Sequence, residues 1–249
     1  MILVWIGALF VGLSLGLLGS GGSILTVPIL IYLIGVEEKL AIAESLGIVG
    51  SISFAGFIPY AFKKQVHWKS IILFGLPGMG GAYFGAFISY YVSSTIQLFI
   101  FAAVMLGAAA GMFLNTNSED EVTGPYRWWL ISIEGFCVGI LTGLVGVGGG
   151  FMIVPGLVLL GGLPMDLAIG TSLAIITLQS ATGFIKYLDV LEDLNLEIDI
   201  QLMVVFGLIG AVGSLVGKTV GSRISNEGLK QGFAVFLIVM GVYVIYMNI

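Results

Sequence analysis

Apolar runs of about 20 residues follow one another along nearly the whole chain, starting with "MILVWIGALFVGLSLGLLG" at Met1–Gly19. As helices, runs of that length cross a hydrocarbon core of about 30 Å. Charged residues make up only 9% of the chain and the mean hydropathy is +1.13, whereas soluble domains carry about 25% charge. A transmembrane barrel needs segments of about 10 residues that alternate polar and apolar, and that alternation is absent. The first run has no basic start and no polar cleavage region, so it reads as a membrane segment and not as a removed signal peptide. One cysteine, Cys137, allows no internal disulfide or cysteine-rich metal site, and a net charge of −5 offers no basic surface for nucleic acid. The expectation is an all-α polytopic membrane protein in contact with the lipid bilayer. Its 38 glycines fit helices that pack closely in lipid.

The long polar interruption "NTNSEDEVTGPYR", Asn115–Arg127, divides the chain into residues 1–114, a linker at 115–127, and residues 128–249. Each flanking half parses into five apolar pieces. In the first half these are Met1–Leu18, Ile24–Gly35, Leu40–Phe62, Ser70–Tyr91 and Ile96–Leu114. In the second they are Trp128–Val145, Phe151–Gly161, Met165–Leu188, Ile200–Val220 and Leu229–Tyr246. "ESLGIVGSISFAGFIPY" (Glu44–Tyr60) lies against "TSLAIITLQSATGFIKY" (Thr171–Tyr187) at an offset of 127, and "FGLPGMGGAYFGA" (Phe74–Ala86) lies against "FGLIGAVGSLVGK" (Phe206–Lys218) at 132. Two homologous repeats are the natural reading. Lys63, Lys64 and Lys69 flank the third-to-fourth connection of the first half. In the second half the basic residues, Lys218, Arg223 and Lys230, flank the next connection instead. If basic loops stay cytoplasmic, the repeats are inverted; a parallel four-plus-four arrangement is the alternative.

Two glycine clusters sit at the same offset, in "LLGSGGSILTVP" (Leu17–Pro28) and "LVGVGGGFMIVP" (Leu144–Pro155). A helix rises about 1.5 Å per residue, so the piece after each cluster is too short to span. Each loop is therefore expected below the membrane surface, opening a broken or re-entrant half-helix. Irregular backbone survives there only inside protein or beside a water-filled cavity. The first turn of such a half-helix has unsatisfied N–H groups and the positive end of its dipole, which favour an anion. Ser20 and Ser23 add hydroxyls, and Pro28 and Pro155 are expected about one turn in, where a missing N–H costs least. The competing reading is that the glycines serve only tight helix crossing.

The duplicated "GxGGS/G…VP" followed by "A…SL" resembles the TauE/SafE family of sulfite-exporter-like permeases, and the resemblance covers essentially the whole chain. It implies an integral protein of the prokaryotic plasma (inner) membrane that moves sulfite, sulfonates or related small anions, with no cofactor. By resemblance, the motif loops are Gly19, Ser20, Gly21, Gly22 and Ser23, and Gly146, Gly148, Gly149 and Gly150. Ser45 and Ser172 fill the accompanying "SL" positions. The second half has "GTSL" with Thr171; the first has "AESL", which places Glu44 where Thr171 sits.

Glu44 and Glu134 are acids in apolar pieces, a costly placement that marks candidates for coupling or gating. Both also admit bland readings, an interfacial carboxylate for Glu44 and a structural pairing for Glu134. Gln179 and Ser180 could donate hydrogen bonds to an oxyanion inside the bundle. Lys186 reads as a lysine snorkelling to the interface, and His67, the single histidine, as a loop residue. No "GxxxxGK", "HExxH" or cysteine pair supports an enzyme, and nucleophilic catalysis lacks a nearby base. The functional expectation is a secondary transporter of small anions working by alternating access at a midplane site. An anion channel and a non-transporting assembly partner are the alternatives, and homo-oligomerisation and the coupling ion stay open.

Overall fold

A computed structural model describes residues 2–18, 22–114, 128–159, 161–221 and 226–248. Those residues form ten helical rods and no strand. The first five are α1 (Ile2–Leu18), α2 (Ser23–Ile34), α3 (Glu38–Phe62), α4 (Trp68–Ser89) and α5 (Ser94–Leu114). The second five are α6 (Trp128–Val145), α7 (Gly150–Leu159), α8 (Met165–Asp193), α9 (Ile200–Gly221) and α10 (Asn226–Met247). They coincide with the ten apolar pieces, except that α8 continues past Leu188 to Asp193. The polar stretch there stays helical because Val190 and Leu191 are buried while Asp189, Glu192 and Asp193 face outward. Five rods are long and apolar enough to cross a membrane. Large apolar side chains such as Trp5, Phe10, Leu208 and Val212 cover the outside, while Ser45, Ser53, Thr142, Gln179 and Ser180 are wholly buried. That distribution suits a lipid solvent, because polar groups must find partners inside.

The helices pair across the two halves. α4 against α6 and α1 against α9 are the most extensive contacts, followed by α3 against α8 and α5 against α10. Each half thus lends its first helix to the other half's fourth. The contacts match position for position: a Cβ on Gly12 would meet the Gly210 backbone, and one on Gly139 would meet the Gly78 backbone. Gly139 is the repeat counterpart of Gly12 at the offset of 127, and Gly210 that of Gly78 at 132. One turn on, Gly16 lies against Ser214 and Gly143 against Ala82, at the same offsets. At both crossings the chains touch backbone to backbone, the close approach that small residues permit in lipid.

α3 and α8, the third helices of their halves, run antiparallel. Leu46 meets Gly183 at one end of the contact and Leu173 meets Gly56 at the other, two contacts that exchange when each residue is replaced by its repeat counterpart. Prolines coincide with breaks in the regular α-helical bonding. Pro77 follows a π-helical stretch at Ile71–Gly75, and its ring displaces the carbonyl four residues back. That carbonyl, on Leu73, accepts a hydrogen bond from Ser132 Oγ at 2.9 Å. Pro28 and Pro155 sit deeper than expected. Each is the sixth residue of its helix, past the first turn, and α2 widens to π-helix from Ile29 to Ile34 directly after Pro28.

Candidate functional site

The second glycine loop is a break between two helices, held in the interior. α6 ends at Val145 and α7 begins at Gly150, and every residue from Thr142 to Gly150 is buried. Gly146 (φ 77°) and Gly149 (φ 63°) adopt left-handed backbone, which side chains with a Cβ rarely tolerate. Space forbids side chains there too: a Cβ on Gly149 would press on Thr142 and Val138, and one on Gly146 on Ile42 and Ser45. Ser45 fastens the loop to α3. Its hydroxyl lies 2.6 Å from the Gly146 carbonyl and 2.7 Å from that of Ile42. The loop's own bonds are few: Gly146 N–H donates to Thr142 O (3.0 Å), Gly149 N–H to Val147 O, and Met152 and Ile153 N–H to Gly149 O (2.9 and 3.1 Å).

The tip of the loop fits where α3 and α8 cross. A Cβ on Gly148 would meet Val49 of α3 and Ile176 of α8, with Ser180 Oγ 3.4 Å away. Gln179 lies beside Gly149, and its Oε1 is 3.4 Å from Thr142 Oγ1. Several buried polar atoms around this crossing have no hydrogen-bond partner: Gln179 Nε2, Ser180 Oγ and, on α3, Ser53 Oγ. Thr26 Oγ1 of α2 is in the same condition. Buried polar groups are paired in the large majority of cases, so these four, among six such atoms in the described residues, need a reason.

The structure separates the other sequence candidates. Thr171 and Glu44 occupy equivalent positions and do equivalent work. Thr171 Oγ1 accepts the N–H of His67 (2.9 Å), the residue before α4, and Glu44 Oε1 accepts the N–H of Asp199 (2.8 Å), the residue before α9. Glu44 is fully buried, and its second oxygen, Oε2, has no partner. The Glu134 carboxylate abuts Gly156 of α7, where a Cβ would collide with it, and its Oε2 is likewise buried and unpaired. Ser172 Oγ donates to Ile169 O within its helix (2.8 Å). Gly22 is buried against Val11 and Leu15 of α1, and Ser23 opens α2. Gly19, Ser20 and Gly21 lie outside the described residues. Lys186 stands away from this centre, paired with Asp189 (2.9 Å) and near the rings of Tyr83 and Phe87. His67 Nδ1 accepts from Ser70 N–H (3.3 Å) and caps α4.

Comparison with known proteins places this architecture. Residues 4–244 match the profile of the sulfite exporter TauE/SafE family. The chain belongs to the TauE/SafE family. A probable membrane transporter protein of Xylella fastidiosa is 31% identical over 243 residues, covering 95% of this chain and 91% of the relative. The probable membrane transporter protein YunE of Bacillus subtilis is 26% identical, with coverage of 100% and 98%. One from Methanocaldococcus jannaschii is also 26% identical, with coverage of 95% and 94%. No solved structure matches the chain. This TauE/SafE protein is therefore an integral membrane transporter.

In this TauE/SafE chain, several residues around the glycine loop carry little signal in the sequence. Ser53 is within reach of it, because Ser53 is the repeat counterpart of Ser180 and the serine that both halves share. Thr142 has no such signal, since its counterpart in the first half is Leu15. Lys39, Gln97 and Tyr187, wholly or almost wholly buried, come from separate parts of the chain, and no local pattern connects them.

Proposed function

We propose that this TauE/SafE protein is a secondary transporter of small anions, sulfite or organosulfur compounds such as sulfonates, working by alternating access. The observation that carries this reading is the set of orphaned groups at the α3–α8 crossing. Ser53 Oγ, Ser180 Oγ and Gln179 Nε2 can each donate a hydrogen bond and none has an acceptor. An oxyanion can accept from donors of this kind, and inside a bundle they are costly until something does. The adjoining loop residues Gly146, Gly148, Gly149 and Gly150 let backbone approach a ligand without side chains intervening. Their counterparts Gly19, Ser20, Gly21, Gly22 and Ser23 serve the other half, and Ser45, Thr171 and Ser172 hold the surrounding helices.

We read residues 1–114 and 128–249 as inverted repeats. Antiparallel α3 and α8 support this, because equivalent helices that both cross a bilayer in opposite directions require it. The reciprocal pairing of α1 with α9 and α6 with α4 supports the same relation. Inverted repeats place a shared site near the midplane and supply two bundles that rock about it. Glu44 and Glu134, each with one unpaired buried oxygen, are the acids available for coupling or gating.

The test is a thermal-shift panel on purified protein with sulfite, sulfate, thiosulfate, sulfonates, carboxylates and chloride at matched ionic strength. A ligand at about 100 times its Kd stabilises by about 2.7 kcal/mol. A sulfur oxyanion is expected to raise Tm selectively, and Gln179→Ala and Ser180→Ala are each expected to reduce that shift while leaving the ligand-free Tm close to wild type. No shift with any anion, or an undiminished shift in both variants, would overturn the reading.

A further inference from the structure

A buried lysine near the start of α3 has no acid paired with it. Lys39 is the second residue of that helix and is 6% exposed. Among the described residues the one salt bridge is Lys186–Asp189, so the Lys39 ammonium is held by neutral oxygens alone. It donates to the carbonyls of Ser89 and Val92 (2.9 Å for the latter) at the C-terminal end of α4, and to Gln97 Oε1 of α5 at 2.7 Å. A cation at a helix C-terminus is favourable, and this much would be a helix cap.

Gln97 extends the contact further. Its Nε2 donates to the Leu144 carbonyl (2.5 Å) and lies 3.1 Å from the hydroxyl of Tyr187, which is itself 3.3 Å from the same carbonyl. Leu144 is two positions before Gly146, where the backbone turns left-handed and the glycine loop leaves α6. A glutamine amide has one end that accepts and one that donates. The Lys39 ammonium can pair only with the accepting end, so it dictates that the donating end meets Leu144. Without the cation one of the two restraints on the amide is lost, and the Leu144 carbonyl alone opposes its turning over.

We propose that Lys39 is a positioning residue for the second glycine loop: by fixing which way the Gln97 amide points, it anchors the Leu144 carbonyl and with it the Gly146–Gly149 break. The sequence does not repeat this lysine in the second half. The repeat counterpart of Lys39 is Asp166, and a carboxylate has no proton to donate to carbonyls. The inference rests on the proposed function only in taking the glycine loop as a solute-binding element; the anchoring itself stands apart from it.

Hydrogen–deuterium exchange on the purified full chain, read by mass spectrometry, tests it. The substitutions are Lys39→Met and Gln97→Glu. Gln97→Glu keeps a partner for Lys39 and so keeps the fold, yet it removes the donor to Leu144. Both variants are expected to speed exchange across Gly146–Ile153 at least tenfold and to leave Ile24–Ile34 of α2 as in wild type. Adding Lys39→Met to Gln97→Leu should speed the loop no further than Gln97→Leu alone. Unchanged exchange at Gly146–Ile153, or an equal rise in α2, would overturn the proposal. Sulfite binding, measured on the same samples, is expected to weaken about tenfold in both variants. If wild-type protein binds no sulfur oxyanion, the proposed function falls while the exchange result still decides the role of Lys39.

Discussion

Gly139→Ala is expected to destabilise the protein by about 1–3 kcal/mol, the usual cost of forcing an extra methyl into a filled contact, and Gly12→Ala by a similar amount. Both substitutions put a methyl against backbone, at Gly78 and Gly210 respectively. Backbone cannot swing aside as a flexible side chain can, so the two helices must separate along their whole contact. In lipid there is no water to expel in compensation, and tight packing is the chief attraction that separation loses. Gly107→Ala is the internal comparison. Its Cβ would meet nothing within 4 Å, so it should be neutral or stabilising by up to about 1 kcal/mol through helix propensity. Unfolding in mixed micelles by increasing SDS, followed by helical circular dichroism, measures all three. A Gly139→Ala protein as resistant as wild type would mean that the α4–α6 contact is looser than described.

The second large effect is expected at Glu44. Glu44→Ala removes the acceptor for the Asp199 N–H and should cost about 1.5–3 kcal/mol, the range for hydrogen bonds to charged groups. Thr171→Ala, which strips the equivalent acceptor from His67, should cost about 0.5–1.5 kcal/mol because that bond is neutral on both sides. Glu44→Gln separates the two tasks this residue could perform. Its amide oxygen still accepts from Asp199, so Glu44→Gln should cost less stability than Glu44→Ala, the bond surviving as a neutral one. If Glu44 is also a coupling acid, Glu44→Gln abolishes the dependence of solute flux on a proton gradient in proteoliposomes. If flux and its gradient dependence survive, Glu44 is a tether between α3 and α9 and coupling passes to Glu134 or elsewhere.

Much of this fold is written in the linear pattern. The ten apolar pieces, the polar break at Asn115–Arg127 and the two offsets of 127 and 132 are readable because membrane helices must be long, apolar and continuous. The pairing of helices is not. Nothing in the glycine spacing of α1 says that Gly12 meets Gly210 and not a residue of its own half; that follows from how ten rods share one interior. The site is half legible in the same sense. Gly146, Gly148 and Gly149 stand out because a glycine run inside an apolar stretch is costly, and the backbone at Gly146 and Gly149 explains it. Glu44 stands out as an acid in an apolar piece, but its contact with Asp199 lies 155 residues away in the chain and cannot be read from its surroundings. The Lys39–Gln97–Leu144 chain is invisible for the same reason. The end of α8 is misplaced by an apolar-run criterion, which stops at Leu188, whereas a helix continues as long as one face finds a partner.

The exchange of first and fourth helices also has a bearing on biogenesis. α1 is made well before α9, so the strip of Gly12 and Gly16 that fits α9 has no mate until Ile200–Gly221 has been synthesised. The α4–α6 pair closes much earlier, as soon as the second half begins to emerge. A nascent chain must therefore hold the small-residue face of α1 open, with α2 its early neighbour, until α9 has been made. Closing α1 onto α9 fastens two segments made far apart in time, so the bundle cannot lock until the fourth helix of the second half is in place.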